Sequence, residues 1–242
     1  NATYLLVRDR HGLIKIYDET SKESKKLNGL QIGTILSIEG RVASQPGRNR
    51  QMEIKEPRIT VEVPIKYFST IDINKPISHS SEDCVGLFEN KVLNIRNITE
   101  RGAWKIQAGV GDAIREYLKS QDFTEFHSPK IFAGSTESGK EVFRLDYFGK
   151  SAALAQTAQF YKQILAGSLE RVFEIGSTYR AESNVTTRHM TEFITIDTEM
   201  AFIKGLTDIQ VLISDLMNHV AARAWERYRT ELLALKAIRP IL

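Results

Sequence analysis

The chain has 242 residues, of which 42% are hydrophobic, so it is long enough to bury a substantial core in one large domain or two ordinary ones. Its 33 basic and 30 acidic side chains leave a net charge of only +3, so a nucleic-acid partner has to be bound by local basic patches. A single cysteine, Cys84, excludes a disulfide framework and a Cys-x-x-Cys zinc site, and no run approaches the roughly 20 apolar residues of a membrane span, which predicts a cytoplasmic protein.

Residues 1–66 contain four short runs that are rich in β-branched and aromatic residues and are separated by glycines, which predicts a small β-barrel. The charged stretch "SKESKKLNGL" between the second and third runs is predicted to be a solvated connection or a short helix. Residues 67–89 hold Pro76 and the polar run "SHSSED", which predicts a linker between two domains. A first residue other than Met, and an end two residues after Pro240, are typical of part of a longer protein.

Residues 90–242 combine helical and strand-like patterns. The apolar residues from Trp104 to Leu118 recur on one helical face, and a second long helical pattern begins at Thr207-Asp208. Between these helices, "EVFRLDYFG", "SAALAQ", "RVFEIGSTYR" and "EFITIDTEMAF" alternate with period two or are continuously apolar, which predicts strands. Because several strands follow one another without an intervening helix, the pattern favours an antiparallel sheet and the α+β class over a doubly wound sheet.

The two strands on either side of "AESNVTTRHMT" are predicted to form a hairpin with a polar, basic turn. Arg180 offers a planar fork for a phosphate or carboxylate, and Glu182 accepts hydrogen bonds from amino or hydroxyl groups. Arg188 and His189 lie in the turn, where they can reach an anion, and Phe193 offers a stacking surface. This set suits a nucleotide. An exposed hairpin with an Arg-Glu surface pair explains the same composition, so these residues alone leave both interpretations open.

The stretch "YRAESNVTTRHMTEF" resembles motif 2 of the class II aminoacyl-tRNA synthetases, in the aspartyl, asparaginyl and lysyl subgroup, which has an aromatic-Arg-x-Glu group, a loop, and Arg-His-x-x-Glu-Phe. The run from Glu89 to Ile131, which ends in "FTEFHSPKI", is similar to motif 1, and motif 1 forms the dimer interface in this family. "GSTESGKEVFRLDYFGKSAALAQTAQFYKQ" is similar to the family's amino-acid loop and the strand and helix that follow it. The resemblance implies an OB-fold anticodon-binding domain over 1–66 and a class II catalytic domain, with motifs 1 and 2 only, over 90–242.

By this resemblance, six residues are expected to bind ATP: Arg180, Glu182, Arg188, His189, Met190 and Phe193. Arg180 is expected to be the catalytic residue, because the family uses this position to contact the ATP α-phosphate and the substrate carboxylate. Glu182 corresponds to the residue that binds the adenine amino group, and Phe193 to the residue that stacks on the adenine. No metal ligand is expected among these residues. The family's Mg²⁺ ligands are expected in a motif 3, and no Gly-x-Gly-x-x-Arg pattern follows residue 205.

The resemblance also implies an amino-acid pocket. Gln159 and Lys162 lie three residues apart on one helical face, so both are expected to point into it. Aspartyl enzymes resemble this sequence in carrying such a lysine, which neutralises the substrate side chain. Glu137 is similar to the loop carboxylate that receives the substrate ammonium, and Asp197 is expected to pair with Lys162. The serine at position 138 and "QTAQ" in place of Gln-Ser-Pro-Gln depart from the family pattern, which predicts an altered loop closure.

In the predicted barrel, "YLLVRDRHG" is similar to the strand on which the family stacks an anticodon base. Tyr4 stands at that place, and stacking contributes about 1 to 3 kcal/mol per base. Arg8 and Lys15 are the other expected anticodon contacts, although Lys15 replaces a glutamine that often reads the middle base. Burial of Tyr4 in the barrel core is the alternative. Further candidates for phosphate contacts are Arg10, Arg48 and Arg50.

The resemblance therefore implies an aspartate-tRNA ligase of archaeal or eukaryotic type that forms a homodimer, uses ATP and Mg²⁺, and acts on L-aspartate and tRNA. Two alternatives stay open. An asparaginyl or relaxed Asp/Asn enzyme shares these motifs, although Lys162 and "DTEM" speak against a strict asparaginyl enzyme. A non-catalytic synthetase paralogue that binds tRNA or a protein partner stays in consideration because motif 3 is absent from these 242 residues.

Overall fold

The structure is a computed structural model, in which the described residues are 2–44, 52–66, 88–134, 142–183, 186 and 189–240. The chain divides into two compact units, Asn1–Asp72 and Ile73–Leu242. Some residues singled out in the sequence lie outside the described ranges: Arg48, Arg50, Pro76, Cys84, Glu137, Ser138 and Arg188.

The first unit contains a four-stranded sheet in the order β1-β2-β4-β3. Its strands are β1 (Thr3–Arg8), β2 (Leu13–Asp18), β3 (Ile35–Ser44) and β4 (Met52–Val63). The β2-β4 pair is parallel and the other two pairs are antiparallel. Alternation of side chains places Ile16 in the core and leaves Tyr4 exposed. The four predicted strands are therefore present, but the described residues do not show a closed barrel, and the OB-fold stays a prediction.

A buried carboxylate ends β2. Asp18 is 3% exposed and accepts hydrogen bonds from the backbone N–H of Ser24 at 2.7 Å and from the Ser24 hydroxyl at 2.8 Å. Burial disfavours the charged form, but the hydrogen bonds from Ser24 and Thr20 outweigh it and lower the pKa of Asp18 below its ordinary value. Asp18 thereby ties β2 to a short 3-10 helix, Ser24–Leu27, which is the short helix that the charged stretch predicts.

The second unit combines helices with two three-stranded sheets, in the orders β10-β9-β5 and β6-β8-β7. Its helices are α1 (Lys91–Asn94), α2 (Ile98–Ser120), α3 (Gln159–Leu169), α4 (Leu206–Arg227) and α5 (Arg229–Ala234). Its strands are β5 (Thr124–Glu125), β6 (Ile131–Phe132), β7 (Arg144–Tyr147), β8 (Lys150–Leu154), β9 (Arg171–Tyr179) and β10 (Glu192–Met200). The β5-β9 pair is parallel and the other pairs are antiparallel, in agreement with the predicted α+β class.

The long helix α2 begins at Asn97, whose side-chain oxygen accepts a hydrogen bond from the backbone N–H of Thr99 at 2.9 Å. One face of its C-terminal half is buried, through Ala113, Ile114 and Leu118, whereas Trp104 is 60% exposed. The Trp104 side chain therefore does not take part in the core that this half of the helix helps to form. The buried face of the helix also includes Gly109, at its middle. There the ring of Tyr228 occupies the space that a side chain would need.

The second long helical pattern forms two helices, because the chain turns at Tyr228 between α4 and α5. At the start of α4 the Asp208 carboxylate accepts hydrogen bonds from the backbone N–H groups of Lys204 at 2.7 Å and Gly205 at 3.2 Å. It thereby satisfies backbone donors at the positive end of the helix. Among the described residues, no helix combines the length and the apolarity needed to cross a membrane.

Helices α2 and α4 pack against one face of the β10-β9-β5 sheet. The core there joins Ile114 and Leu118 of α2 with Leu216 of α4 and the fully buried Phe173 of β9. Because successive side chains of a strand point to opposite faces, the residues that alternate with Phe173 project from the other face of the sheet. That other face packs Val172 into a second apolar cluster with Phe126 and Ala166, and it also carries the polar side chains of the candidate site.

Candidate active site

The hairpin of β9 and β10 provides the base of the site. The two strands pair from Arg171 opposite Met200 to Tyr179 opposite Glu192, which confirms the predicted hairpin. Arg180 directly follows β9 and continues the pairing, because its backbone N–H donates to the carbonyl oxygen of Thr191 at 3.0 Å. The end of β9 therefore holds the Arg180 backbone in a defined position.

The polar face of this hairpin presents a row of side chains from both strands. On β9 the row consists of Glu174, Gly176 and Thr178, and their direct partners on β10 are, in order, Asp197, Thr195 and Phe193. Side chains at directly opposed positions of an antiparallel pair point to the same face. The Phe193 ring therefore lies near the turn of the hairpin, and the Glu174 and Asp197 carboxylates lie farther from the turn.

Near the turn, five residues line one cavity of about 400 Å³: Arg180, Glu182, His189, Met190 and Phe193. The Glu182 carboxylate lies between two cations or potential cations, 4.0 Å from Arg180 Nη1 and 3.9 Å from His189 Nε2. The Arg180 guanidinium lies 6.0 Å from the centroid of the Phe193 ring. The cavity thus combines an anion-binding fork, a hydrogen-bond acceptor and an aromatic face, as a nucleotide requires.

The turn of the hairpin orients His189. Its Nδ1 lies 2.6 Å from the Thr186 hydroxyl, and its backbone N–H donates to the Thr186 carbonyl oxygen at 3.3 Å. These contacts direct the other ring nitrogen, Nε2, to the side of Glu182. Arg188, the second basic residue expected in this turn, lies outside the described residues.

The opposite end of the row holds a buried ion pair. Lys162 Nζ of α3 lies 3.0 Å from Asp197 Oδ1 of β10, and the two side chains are 12% and 15% exposed. The Thr195 hydroxyl donates to the other carboxylate oxygen of Asp197 at 3.1 Å. The structure therefore brings together the two residues that the sequence paired. Glu137, expected nearby, lies outside the described residues.

The sequence analysis did not predict that a second carboxylate lies near Lys162. Glu199 Oε2 lies 3.9 Å from Lys162 Nζ. Its spacing of two residues from Asp197 on a predicted strand was a signal for it, because i and i+2 share a face. Gln159 is the first residue of α3, and its backbone N–H donates to the Thr157 hydroxyl at 3.2 Å. It lies one helical turn before Lys162, on the same side of the helix.

In the first unit, the residues expected to contact an anticodon lie on the exposed face of the sheet. Tyr4 is 56% exposed, so its alternative placement in the core is wrong, and Lys15 Nζ lies 3.8 Å from the centroid of its ring. Two neighbours were not predicted: Tyr17, with its ring centroid 4.9 Å from that of Tyr4, and Lys55, 5.8 Å from the Tyr17 ring. Arg8 lies four residues after Tyr4 on β1, so it is on the same face of the sheet, and it is also exposed.

The residues that the structure describes contain no group of three or more His, Cys, Asp or Glu side chains placed to hold a metal ion. The expectation that the Mg²⁺ ligands belong to a motif 3 stays a prediction.

Residues 86–240 match the family model of the tRNA synthetases class II (D, K and N). The chain is 35% identical over 240 residues to the aspartate-tRNA(Asp/Asn) ligase of Methanopyrus kandleri, an alignment that covers 96% of this chain and 54% of the relative. It is 33% identical over 238 residues to the aspartate-tRNA(Asp) ligase of Pyrococcus horikoshii, with 96% of this chain and 54% of the relative covered.

Among solved structures, the asparaginyl-tRNA synthetase of Pyrococcus horikoshii complexed with asparaginyl-adenylate matches with a TM-score of 0.78 and 26% identity, over 95% of this chain and 52% of that one. The chain spans about half the length of the curated relatives it matches. These matches extend over both units.

Proposed function

The chain belongs to the class II tRNA synthetases of the aspartate, lysine and asparagine group, and on this basis we propose that it acts as an aspartate-tRNA ligase. In the proposed reaction L-aspartate is activated by ATP to aspartyl-adenylate, and the aspartyl group is then transferred to the 3′ end of a tRNA. The single observation that carries the proposal is the cavity at the hairpin turn. Five of the six residues expected to bind ATP line it, and the sixth, Arg188, is not among the described residues.

In the first step, a carboxylate oxygen of aspartate attacks the α-phosphorus of ATP, the bond from that phosphorus to the bridging oxygen breaks, and pyrophosphate leaves. Negative charge gathers around the α-phosphate, to which the proposal assigns the Arg180 guanidinium; the backbone of Arg180 is held at the end of β9 by its hydrogen bond to Thr191. A fixed cation at the point where charge develops stabilises the transition state without reorganisation of solvent. Glu182 and Phe193 hold the adenine by its amino group and its ring face.

The amino-acid pocket of the proposal is the Lys162 end of the row. The ammonium of Lys162 is 12% exposed and is already paired with Asp197. An aspartate side chain brings a carboxylate to this ammonium, whereas an asparagine side chain brings no charge. Because the Lys162 side chain is mostly removed from water, its Coulomb attraction is screened less than in bulk water, and the difference favours aspartate.

In the second step, a terminal ribose hydroxyl of the tRNA attacks the activated carbonyl carbon, and AMP leaves. The exposed Tyr4, Lys15 and Tyr17 face of the first unit supports a role for that unit in binding the anticodon, since aromatic faces and cations together bind unstacked bases. The proposal includes an OB-fold for this unit, a homodimer formed through α2, and a cytoplasmic location.

A relaxed enzyme that charges both aspartate and asparagine tRNAs is the second candidate. It is favoured by the 35% identity to an aspartate-tRNA(Asp/Asn) ligase, and it keeps the same aspartate pocket. The two candidates differ in how the anticodon is read, so the choice between them depends on the first unit.

The test is pyrophosphate exchange into ATP by the purified full-length protein, with aspartate, asparagine or lysine added in turn. Aspartate alone is expected to support exchange. Aminoacylation of transcripts of the aspartate and asparagine tRNAs then distinguishes the strict enzyme from the relaxed one. Exchange that depends on asparagine only, or tRNA binding without any exchange, would rule out the aspartate-tRNA ligase in favour of an asparaginyl enzyme or a non-catalytic paralogue.

A further inference from the structure

A second ion pair, whose carboxylate is buried, lies on the same sheet face as Lys162 and Asp197. Glu174, which is 2% exposed, accepts hydrogen bonds from the backbone N–H and the hydroxyl of Ser128, each at 2.7 Å. The Lys130 ammonium donates to the Glu174 carboxylate and to the Ser128 hydroxyl, each at 2.9 Å. These contacts tie the segment between β5 and β6 to the middle of β9.

This pair is adjacent to the amino-acid pocket, because Glu174 and Asp197 are direct partners in the β9-β10 ladder. Opposed side chains on one face have Cβ atoms about 4.5 to 5.5 Å apart, and like charges at such positions repel each other. Each carboxylate has its own lysine, Lys130 at 2.9 Å from Glu174 and Lys162 at 3.0 Å from Asp197. Two ion pairs therefore lie side by side, and water screens them less than at the surface, since their side chains are between 3% and 25% exposed.

Gly176 leaves the space that the Lys130 ammonium occupies. A Cβ atom at this position would lie 3.2 Å from the Glu174 carboxylate and 3.2 Å from Lys130 Nζ. Gly176 is also the ladder partner of Thr195, whose hydroxyl holds Asp197 at 3.1 Å. The ammonium of Lys130 thus lies over β9, next to the residues that position Asp197.

The backbone of Lys130 contacts the other side of the pocket. Its carbonyl oxygen accepts a hydrogen bond from Ala155 at 3.0 Å, in the segment that leads from β8 to the helix of Lys162. The carbonyl oxygen of Ala155 in turn accepts from the backbone N–H of Tyr179 at 2.9 Å, next to Arg180. The position of Lys130 is therefore determined by the same strands that carry the site.

We propose that Lys130 and Glu174 are positioning residues that set the electrostatic potential at Lys162 and Asp197, and thereby the preference for an anionic over a neutral amino-acid side chain. The inference rests on the proposed function, because it takes Lys162 as the contact of the substrate side chain. The face carries two lysines and three carboxylates, Glu199 being the third. Removing the charge of Glu174 makes this end of the face more positive, and removing both charges of the pair leaves the net charge unchanged.

The experiment compares aspartate with asparagine in pyrophosphate exchange by the full-length protein, with asparagine measured as a competitor where its own activation is too slow. Glu174→Gln is expected to raise the aspartate-to-asparagine ratio by about fivefold or more, since a unit charge removed at about 7 to 10 Å acts through an effective dielectric constant near 20. Lys130→Met is expected to lower the ratio. The double variant Lys130→Met with Glu174→Gln is expected to return it to within about threefold of the wild type.

Two controls accompany these variants. Lys130→Arg keeps the charge and is expected to keep the wild-type ratio. Glu226→Gln removes a carboxylate from α4, which packs on the other face of the sheet, and is expected to leave the ratio unchanged. A role in folding alone would lower activity with both amino acids equally and would make the double variant no better than the single ones.

Single-variant ratios within about twofold of the wild type, or a double variant further from the wild type than either single variant, would overturn the inference. If Glu174→Gln does not fold, Lys130→Met decides, and a ratio at or above the wild-type ratio overturns it. Failure of the proposed function has a different signature, namely no aspartate-dependent exchange by the wild type or no effect of Lys162→Met. If Lys162→Met changes the ratio and the Lys130 and Glu174 variants do not, the proposed function stands and this inference fails.

Discussion

Lys162 Nζ and Asp197 Oδ1 are 3.0 Å apart, in side chains that are 12% and 15% exposed and lie 35 residues apart in the chain. A lysine that is so little exposed is stabilised by a charged partner, because its ammonium is partly removed from water. Glu199, at 3.9 Å, is a second carboxylate near the same ammonium. A substrate carboxylate that reaches Lys162 therefore joins a group of charges that is already assembled.

Replacement of Lys162 by methionine should reduce the preference for aspartate over asparagine, because only the aspartate side chain loses a charge partner. The ratio of the two exchange reactions is the measurement, since general damage to folding or ATP binding cancels in it. Lys150→Met, at an exposed position of β8, is the matched control. A change in the ratio of less than about threefold, below roughly 1 kcal/mol, would show that Lys162 does not read the side chain.

Replacement of Arg180 by alanine should lower aspartate-dependent pyrophosphate exchange by about 10² to 10³, as expected for a fixed charge that contacts the developing negative charge. The fold should be preserved, because the Arg180 contact that continues the ladder is made by its backbone. Arg10→Ala, at an exposed position of the first unit, is the control and should leave exchange unchanged. Near-normal exchange by Arg180→Ala would remove the cavity at the turn from consideration as the ATP site.

Replacement of Tyr4 by alanine should weaken tRNA binding by about 1 to 3 kcal/mol, the contribution of one stacked base, and should leave pyrophosphate exchange unchanged. The change removes the ring over which Lys15 lies at 3.8 Å. Filter binding of the tRNA measures the effect. Ile32→Ala, which truncates another exposed side chain of the same unit, is expected to bind tRNA normally. Equal binding by Tyr4→Ala and the wild type would contradict a stacking role.

The full-length protein should sediment as a dimer at micromolar concentration. If α2 lies on a two-fold axis, each subunit contributes the same surface of this helix to the interface. Trp104 is the largest exposed apolar side chain of α2. Trp104→Glu should then raise the dissociation constant of the dimer by tenfold or more. A wild-type monomer, or a dimer that Trp104→Glu leaves equally stable, would argue against this helix as the interface.

The first unit should lose stability in acid because of Asp18. Its hydrogen bonds lower the pKa of Asp18, so the carboxylate binds protons less readily in the folded chain than in the unfolded chain. The stabilisation is therefore fully present above the unfolded pKa of about 3.9, and it is lost as the pH falls through the lower folded value. Unfolding of the full chain followed from pH 6 to 2.5 should show this loss, and Asp18→Asn should flatten the acid side of the curve. An unchanged slope would mean that another carboxylate is responsible.

The hairpin and the contents of its turn were predictable from the sequence because they depend on local features. Strand alternation in "RVFEIGSTYR" and "EFITIDTEMAF" reflects the period of two of a half-buried strand, and a polar turn joins the two runs. The motif 2 resemblance added the identity of the ATP-binding set, and five of its members line one cavity. Their roles stay predictions, as do those of Glu137 and Arg188.

The sequence failed where position depends on contacts between distant segments. The apolar side chains from Trp104 to Leu118 were predicted to share one helical face, but which of them are buried depends on distant contacts, such as that of Tyr228 with Gly109 more than a hundred residues earlier in the chain. The same holds in the first unit, where Tyr17 and Lys55 extend the exposed aromatic face through strand pairs. The side of a helix or strand that faces the core depends on the distant segments that pack against it, and these contacts cannot be predicted from the local sequence.

By itself, the sequence was enough to predict the strands, the helices and the motifs, because period, turn chemistry and helical spacing act over a few residues. The pairing of Lys162 with Asp197 was predicted from the family resemblance. Only the tertiary structure decided that Glu174 lies opposite Asp197 and that Lys130 crosses Gly176 to reach it. Strand register and the approach of a separate segment are nonlocal, because one residue of slip in the β9-β10 ladder would send every side chain of one strand to the other face. The charge around the amino-acid pocket is therefore a property of the folded sheet.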